Sequence, residues 1–229
     1  MREEQIDKLV GLIQKNGFAT VKFLASATYT SPSTIRRQLA ELQRMGLIQR
    51  SYGGAELIRS NVNTPIELRL QKNHRAKDMI ARKAAELVSE NSTVFIDGSS
   101  TCLHMAPYLE HKKGLVVYTY GAELCQLLSE LDIPTFCLGG RYDRLSKNFS
   151  GEWAVKMAQS VYFDAFFFSS SGFCDGKVYD YSEAETHLRR ALLPQSRKSY
   201  FLCDREKVGK RSTHILCSEN ELTAVLTEN

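Results

Sequence analysis

Three hydroxyl side chains in a row, Ser99, Ser100 and Thr101, follow Asp97 and Gly98 in the run VFIDGSSTC. Hydroxyls and turn amides at that density suit an anion, phosphate above all. A helix predicted from residue 102 would add its unpaired first-turn N–H groups. Other polar residues stand just after apolar, strand-like runs. They are Thr119-Tyr120-Gly121, Gly139-Gly140-Arg141, the SSSGFCDG segment around Gly172, and Asp204 with Lys207. Gly and Ser are also ordinary turn residues, so each signal is weak alone. No Walker lysine and no Gly-rich dinucleotide fingerprint accompanies them, so nucleotide hydrolysis is not expected.

A second chemistry lies in SPSTIRRQLAELQRMGLIQRSYGGAEL, residues 31–57. With 100° per residue and Ile35 as zero, Ser33, Arg37 and Arg44 fall near the opposite face, and Thr34 and Arg36 flank it. Guanidinium forks can bond guanine through two N–H groups, and Ser or Thr can reach base edges or phosphates. Adjacent arginines on a helix are usually a solvated face. Here they come with further signals of one architecture, and agreement across levels outweighs the single cue.

Those signals are elements that would hold the arginines in place. A helix is predicted over 2–15, with Ile6, Leu9, Val10 and Ile13 on one face, and Gly17 stops it. Thr20 caps a second helix whose Val21, Leu24 and Ala25 face inward. Residues 27–30 are a turn. Ser31 is an N-cap and Pro32 an N1 residue. Ile35, Leu39 and Leu42 form the buried stripe of the third helix, which Gly46 ends. Leu47 and Ile48 begin a strand, Gly53-Gly54 supplies the positive-φ turn, and residues 55–58 return. This is a winged helix-turn-helix. Ser31, Ser33, Thr34, Arg36, Arg37 and Arg44 stand on its reading helix, and Arg50, Tyr52 and Gly53 on its wing. Its charge agrees. Residues 1–60 hold 9 Lys or Arg against 5 Asp or Glu, whereas residues 61–229 hold 21 of each. The basic surplus therefore sits where a polyanion would bind.

SNVNTP, residues 60–65, reads as linker, with a short connecting helix over 66–72. Beyond it a helix over 74–89 opens an alternation. Strands are predicted at 94–96, 115–118, 135–138, 165–168, 200–203, 215–217 and 224–226. Helices are predicted at 102–109, 122–131, 152–160 and 183–192. Such alternation argues an α/β domain with a largely parallel sheet, whose ligands bind at strand carboxyl ends. The expected organisation is a winged helix-turn-helix over 1–58, a linker over 59–74 and an α/β effector-binding domain over 75–229. Six cysteines without a CxxC pair argue against a zinc site and a disulfide framework, and for a cytoplasmic protein. No secretory signal or membrane-spanning run is read in the sequence. No cofactor and no metal is expected.

TIRRQLAELQRMGLIQRSYGGA closely resembles the recognition helix and wing of the DeoR family of bacterial transcription regulators, with Gln38 where the family has Asp. IDGSSTC resembles the family's D-x-G-T-T loop. LGGR, NFSG, FDAFFFSSSGF, EAETHLRRAL and CDREKVG match family segments in order. The resemblance implies an effector domain like the sugar-phosphate isomerase and deaminase fold, sensing phosphorylated sugars. On it, Ser99, Ser100 and Thr101 would hold the phosphate, and Asp97, Thr119, Gly140, Arg141, Gly151, Asp204 and Lys207 would line the rest. Tyr120 replaces the family's Asn, and a phenol there would narrow the pocket, change the preferred sugar or block it.

The implied function is a regulator of a sugar-metabolism operon, a repressor that a sugar phosphate releases from double-stranded operator DNA. Paired half-sites imply a homodimer or homotetramer. Two other readings stand beside it. An isomerase or deaminase would need a general base, with Asp97, Asp164, Glu183, Glu185 and Asp204 as candidates, while His104 and His187 fall inside predicted helices. Alternatively, the second domain serves assembly alone.

Overall fold

The computed structural model describes residues 3–44, 48–57 and 64–229. The chain divides into two units, residues 1–68 and 69–229. The expectations placed on Arg2, Gly46, Leu47, Ile58 and linker residues 60–63 lie outside the described residues.

In the first unit, α1 (Glu3–Asn16) is followed by β1 (Phe18–Thr20), α2 (Val21–Thr28), α3 (Pro32–Arg44), β2 (Ile48–Ser51) and β3 (Gly54–Leu57). The caps follow from local chemistry. Thr20 Oγ1 accepts from Phe23 N at 3.1 Å, and Ser31 Oγ accepts from Thr34 N at 3.2 Å. Tyr29 closes α2 in a left-handed conformation, φ 54°. Leu9, Ile13, Leu24, Ile35, Leu39, Leu42 and Ile48 make the core. The wing strands pair antiparallel, and β3 also pairs with β1, a three-residue strand with Ala19 buried between exposed Phe18 and Thr20. Gly53 alone takes positive φ, 78°, in the wing turn. Gly54 is required for a different reason: a Cβ there would meet the Ala19 carbonyl oxygen at 2.5 Å.

In the second unit, α4 (Ile66–Gln71) carries the chain across the boundary into α5 (His74–Glu86). Then come β4 (Thr93–Ile96), α6 (Ser100–Leu103), β5 (Val116–Thr119), α7 (Ala122–Glu130) and β6 (Thr135–Cys137). A hairpin of β7 (Arg141–Asp143) and β8 (Asn148–Ser150) leads to α8 (Glu152–Gln159) and β9 (Ala165–Phe168). The chain continues with β10 (Gly172–Cys174), β11 (Lys177–Asp180), α9 (Glu183–Leu192), β12 (Ser199–Leu202), β13 (His214–Ser218) and β14 (Ala224–Leu226).

The sheet order is β14-β12-β9-β4-β5-β6, with every pairing parallel. Both faces are covered, as a parallel sheet requires. Val94 and Ile96 point into a core with Ile80, Ala84 and Leu124, while Phe95 joins Phe166, Phe168, Leu188 and Phe201 on the other face. Two expectations are corrected. The strand at 214–218 is not in the parallel sheet; it pairs antiparallel with β11 in a small sheet of order β10-β11-β13. The helix expected over 102–109 is one turn, α6, then a 3-10 turn at Ala106–Tyr108. Pro107 sits in that turn and lacks the N–H a continuing helix would use.

The topology fixes where a ligand can sit. From β4 the chain moves to β5 and β6 on one side, and β9, β12 and β14 fill the other. The connections leaving β4 and β9 therefore part at their carboxyl ends, which opens a crevice.

Candidate functional site

The first unit presents a basic, hydroxyl-bearing face. Ser31, Ser33, Arg36, Arg37 and Arg44 are exposed on or at the start of α3, and Thr34 is half-buried. Ser31 Oγ shares hydrogens with Ser33 Oγ at 2.8 Å and Thr34 Oγ1 at 2.9 Å, which orders the hydroxyls at the helix start. Arg50 is exposed on β2, and Tyr52 and Gly53 at the wing tip are exposed. Tyr29, exposed in the turn before α3, was not singled out by sequence reasoning; its left-handed backbone gave no signal in a segment read only as a turn. Arg50→Ala is expected to weaken binding to all duplexes alike and to reduce the slope of log K against log salt by about one. A salt titration on specific and random duplexes checks this.

The second unit holds a cavity of about 190 Å³ at the carboxyl ends of β4, β9 and β12. Ser99, Ser100 and Thr101 follow β4, Ser169, Ser170 and Ser171 follow β9, and Asp204 and Lys207 follow β12; all line it. Lys207 Nζ donates to Ser169 Oγ at 2.6 Å and Thr101 Oγ1 at 3.2 Å, and lies 3.3 Å from Asp204 Oδ2. From α5, Lys77 Nζ donates to Ser100 Oγ at 3.0 Å and to the Arg69 carbonyl. Two lysine side chains thus converge on consecutive hydroxyls. The amides of Ser100 and Thr101 open a helical turn and have no preceding turn to bond.

Burial, and then the charge of Lys207, push the Lys77 ammonium down from 10.5 to about 7; Arg69 and Lys72 act in the same direction and Asp204 against it. The unfolded chain therefore binds more protons between about pH 7 and 10.5, and the unit gains stability as pH rises through that window. An anion seated against Nζ reverses the burial penalty. Binding of a phosphate dianion at pH 8 is expected to take up close to one proton per site. Calorimetry in two buffers of unequal ionisation enthalpy reads this, and Lys77→Met is expected to abolish the uptake.

A buried ion network forms the floor of the cavity. Arg189 of α9, 3% exposed at its side chain, donates through Nε to Asp97 Oδ2 at 3.0 Å, through Nη1 to Asp180 and through Nη2 to Glu185 Oε2 at 3.0 Å. Asp97 also accepts from the amides of Ser99 at 2.9 Å and Ser169 at 3.1 Å. It therefore ties the loops after β4 and β9 together. Asn148 Nδ2 donates to Glu185 Oε1 at 3.1 Å.

The remaining expected ligand contacts lie elsewhere. Asp97 is fully buried under the floor. Thr119 is buried, and its Oγ1 accepts from Gly121 N. Gly140 and Arg141 follow β6, and Gly151 precedes α8; none of the three lines the cavity. For Gly140 and Arg141 the reason is topological, since β6 lies on the far side of β4 from the opening. Tyr120 does not narrow the cavity. It is fully buried beside Phe95, and its hydroxyl, whose proton burial holds on, donates to Asp97 Oδ2 at 3.4 Å. Glycines at 98 and 121 let these loops touch: a Cβ on Gly98 would collide with the Asn148 side chain and the Gly121 Cα.

Sequence reasoning missed Arg69, Lys77, Asp180 and Arg189. Lys77 shares the inward stripe with Ile80, Ala81 and Ala84. Glu185 and Arg189 share one with Leu188 and Leu192. Charged residues at buried helical positions were the available signal.

Comparisons with known proteins bear on both units. A family model described as the DeoR-like helix-turn-helix domain matches residues 5–61, and one described as the DeoR C terminal sensor domain matches residues 72–229. The chain is 30% identical over 234 aligned residues to the lactose phosphotransferase system repressor of Streptococcus mutans serotype c, spanning 99% of this chain and 92% of that protein. It is 31% identical over 229 residues to the HTH-type transcriptional regulator GolR of Listeria innocua serovar 6a, spanning 99% and 90%. Among solved structures, eIF2B delta from Chaetomium thermophilum matches with a TM-score of 0.52 at 16% identity, over 91% of this chain and 76% of that one. At that identity the likeness concerns the fold alone.

Proposed function

Because the chain belongs to the DeoR family of DNA-binding transcriptional regulators, we propose that it represses a sugar-metabolism operon and releases its operator when a phosphorylated sugar fills the cavity of the α/β unit. The observation that carries this reading is the convergence of Lys77 and Lys207 on the hydroxyls of Ser100, Thr101 and Ser169. Charge-assisted donors of that kind suit a phosphate. Ser99 shapes the loop by accepting from Cys102 N at 3.3 Å, and Asp204 holds Lys207 in place. Thr119, Gly140, Arg141 and Gly151 are left out of the proposed contacts, and Asp97 acts through the loop it anchors. On the DNA side the reading face is Ser31, Ser33, Thr34, Arg36, Arg37 and Arg44, with Arg50, Tyr52 and Gly53 on the wing. Two reading heads on paired half-sites make a dimer or tetramer the working form. The repressor works in the cytoplasm, and among the described residues no helix is long and apolar enough to cross a membrane.

A sensor fits this cavity better than a catalyst. A carboxylate that serves as general base must be free to reach substrate. Asp97, Asp180 and Glu185 are engaged with Arg189, and Asp204 pairs with Lys207 and accepts from Glu206 N. Asp164 pairs with Arg197 and accepts from Thr93 N, and Glu183 is exposed at the start of α9.

A ligand switches a regulator only through unequal affinity for its two states. A hundredfold loss of operator affinity corresponds to about 2.7 kcal/mol of coupling. Thermal denaturation of the full chain with glucose 6-phosphate, fructose 6-phosphate and galactose 6-phosphate, against the free sugars, tests the reading. At about a hundred times the dissociation constant the effector adds about 2.7 kcal/mol, a rise of roughly 5–10 °C. A rise with a phosphorylated sugar and none with its free form is expected, together with release of a duplex selected from a random pool. Equal responses to free and phosphorylated sugars would overturn the phosphate assignment.

A further inference from the structure

Six of the seven residues in TYTSPST, residues 28–34, carry a hydroxyl. Five of those hydroxyls are engaged within the turn and the start of α3. Thr28 Oγ1 donates to the Leu24 carbonyl at 2.7 Å, and Thr30 Oγ1 to the Thr28 carbonyl at 3.1 Å. Ser31, Ser33 and Thr34 bond one another. The sixth belongs to Tyr29. Its side chain is 96% exposed and has no hydrogen-bond partner among the described residues.

The Tyr29 backbone is held in an unfavourable conformation. The residue ends α2 at φ 54° and ψ 40°. Its N–H donates to the Ser26 carbonyl at 3.3 Å, and the Thr30 N–H donates to the Ala25 carbonyl at 3.0 Å. A helix end of this kind favours Gly or Asn, because a bulky side chain is strained in the left-handed region. Five other non-glycine residues at positive φ are described. Four are Asn or Asp, whose short polar side chains tolerate it, and the fifth, Lys147, pairs with Glu123. Tyr29 has neither compensation. The turn cannot shift to relieve it, since Leu24 and Ala25 before it and Ile35 after it are packed in the core. A strained aromatic that meets nothing within its own chain points to a partner outside it.

Its place says which partner. Tyr29 stands two residues before Ser31, beside the end of α3 that enters the groove. Side chains flanking such an end meet the sugar-phosphate backbone, and tyrosine is among those that bond phosphate oxygens. We propose that Tyr29 is a DNA-backbone contact: its phenolic hydroxyl donates to a phosphate oxygen beside the base pairs that α3 reads. The contact fixes the register of α3 on the duplex. A neutral hydroxyl releases no counterion, so Tyr29 adds affinity without adding to the salt dependence, unlike Arg50. The proposal rests on the reading of α3 as the base-contacting helix.

The test uses the full chain, wild type and the variants Tyr29→Phe, Tyr29→Gly and Arg37→Ala. Anisotropy titrations over a salt series are run on a duplex selected from a random pool and on a random duplex. Amide exchange of α2 and α3 is read without DNA. Tyr29→Phe is expected to bind both duplexes about 3- to 30-fold more weakly, with the salt slope unchanged. Tyr29→Gly is expected to lose at least as much affinity, while the amides of α2 and α3 exchange about 2- to 10-fold more slowly as the strain is relieved. Weaker binding by a more stable unit is a result that a merely structural residue does not give. If both Tyr29 variants bind like wild type, Tyr29 is only a tolerated surface residue and the proposal is wrong. If Tyr29→Gly weakens binding and Tyr29→Phe does not, the ring meets DNA and the phosphate bond is wrong. If Tyr29→Gly exchanges faster than wild type, the side chain holds the turn and the proposal is wrong. If Arg37→Ala leaves the selected duplex unaffected, the reading of α3 fails; a loss for Tyr29→Phe on both duplexes at constant slope still establishes the phosphate contact.

Discussion

Arg189→Leu is expected to lower the melting temperature of the α/β unit by roughly 6–20 °C. The guanidinium bonds Asp97, Asp180 and Glu185 at once, at a side chain almost fully withdrawn from water. Removing it leaves three buried carboxylates facing one another, and breaking a buried pair by deleting one partner costs about 3–5 kcal/mol. For a unit of this size each kcal/mol moves the transition by about 2–4 °C. Arg189→Lys is not expected to rescue, because one ammonium cannot reproduce a fork that serves three acids. Burial raises the cost of the charge, and the Tyr120 hydroxyl and three carboxylates around it more than compensate, holding Arg189 firmly protonated. Thermal denaturation of both variants decides the matter. A loss of under about 2 °C would mean that the network holds little of the loop after β4 in place.

The second large effect concerns DNA. Arg37→Ala is expected to weaken the specific operator by about 1–3 kcal/mol, roughly 5- to 150-fold, and to leave random duplexes nearly unchanged. The argument is geometric. Ile35, Leu39 and Leu42 are buried against the core of the first unit. That fixes the rotation of α3 and sends Arg37 outward, where it is exposed. Ser31, Ser33 and Thr34 bond one another at the helix start and can take a phosphate or a base edge there. An arginine that specifies sequence and one that only holds phosphate differ in their response to random DNA. Anisotropy titrations on both duplexes separate them. An equal loss on the two would show that α3 does not read bases through Arg37.

Much of this arrangement was legible in the sequence, for reasons that differ by level. Ser31-Pro32 announces α3 because a hydroxyl cap followed by a ring without N–H suits a helix start. The parallel sheet was visible in runs such as AFFF, residues 165–168, because strands covered on both faces are apolar without alternation. The cavity was half visible. Ser99–Thr101, Asp204 and Lys207 could be read from their place after strands. Thr119, Gly140 and Arg141 have the same local signature, and only the strand order β9-β4-β5-β6 removes them from the opening. Strand order is a long-range property that local pattern does not carry. Arg189 was hidden for a related reason. A charged residue is assigned to a solvated face by default, and its principal partner Asp97 lies 92 residues away. The i, i+4 spacing of Glu185 and Arg189 on the stripe of Leu188 and Leu192 was the local trace of it.

The same strand order bears on how the chain comes to be folded. The most distant pairing of the first unit, Phe18 with Glu56, closes within a short stretch of chain. At the centre of the large sheet Phe95 pairs with Phe166, and β9 in turn pairs with β12 at residues 199–201. Pairings between remote segments cost loop entropy before they return any energy, so such sheets form slowly. During synthesis from the N-terminus the DNA-reading unit can be complete while β4 still lacks its central neighbour. Until the ribosome has delivered β9, Phe95 lacks Phe166 and Phe168 as core neighbours, and those in turn wait for Phe201 of β12. The nascent chain is in that interval a finished reading head attached to an unfinished, aggregation-prone sensor.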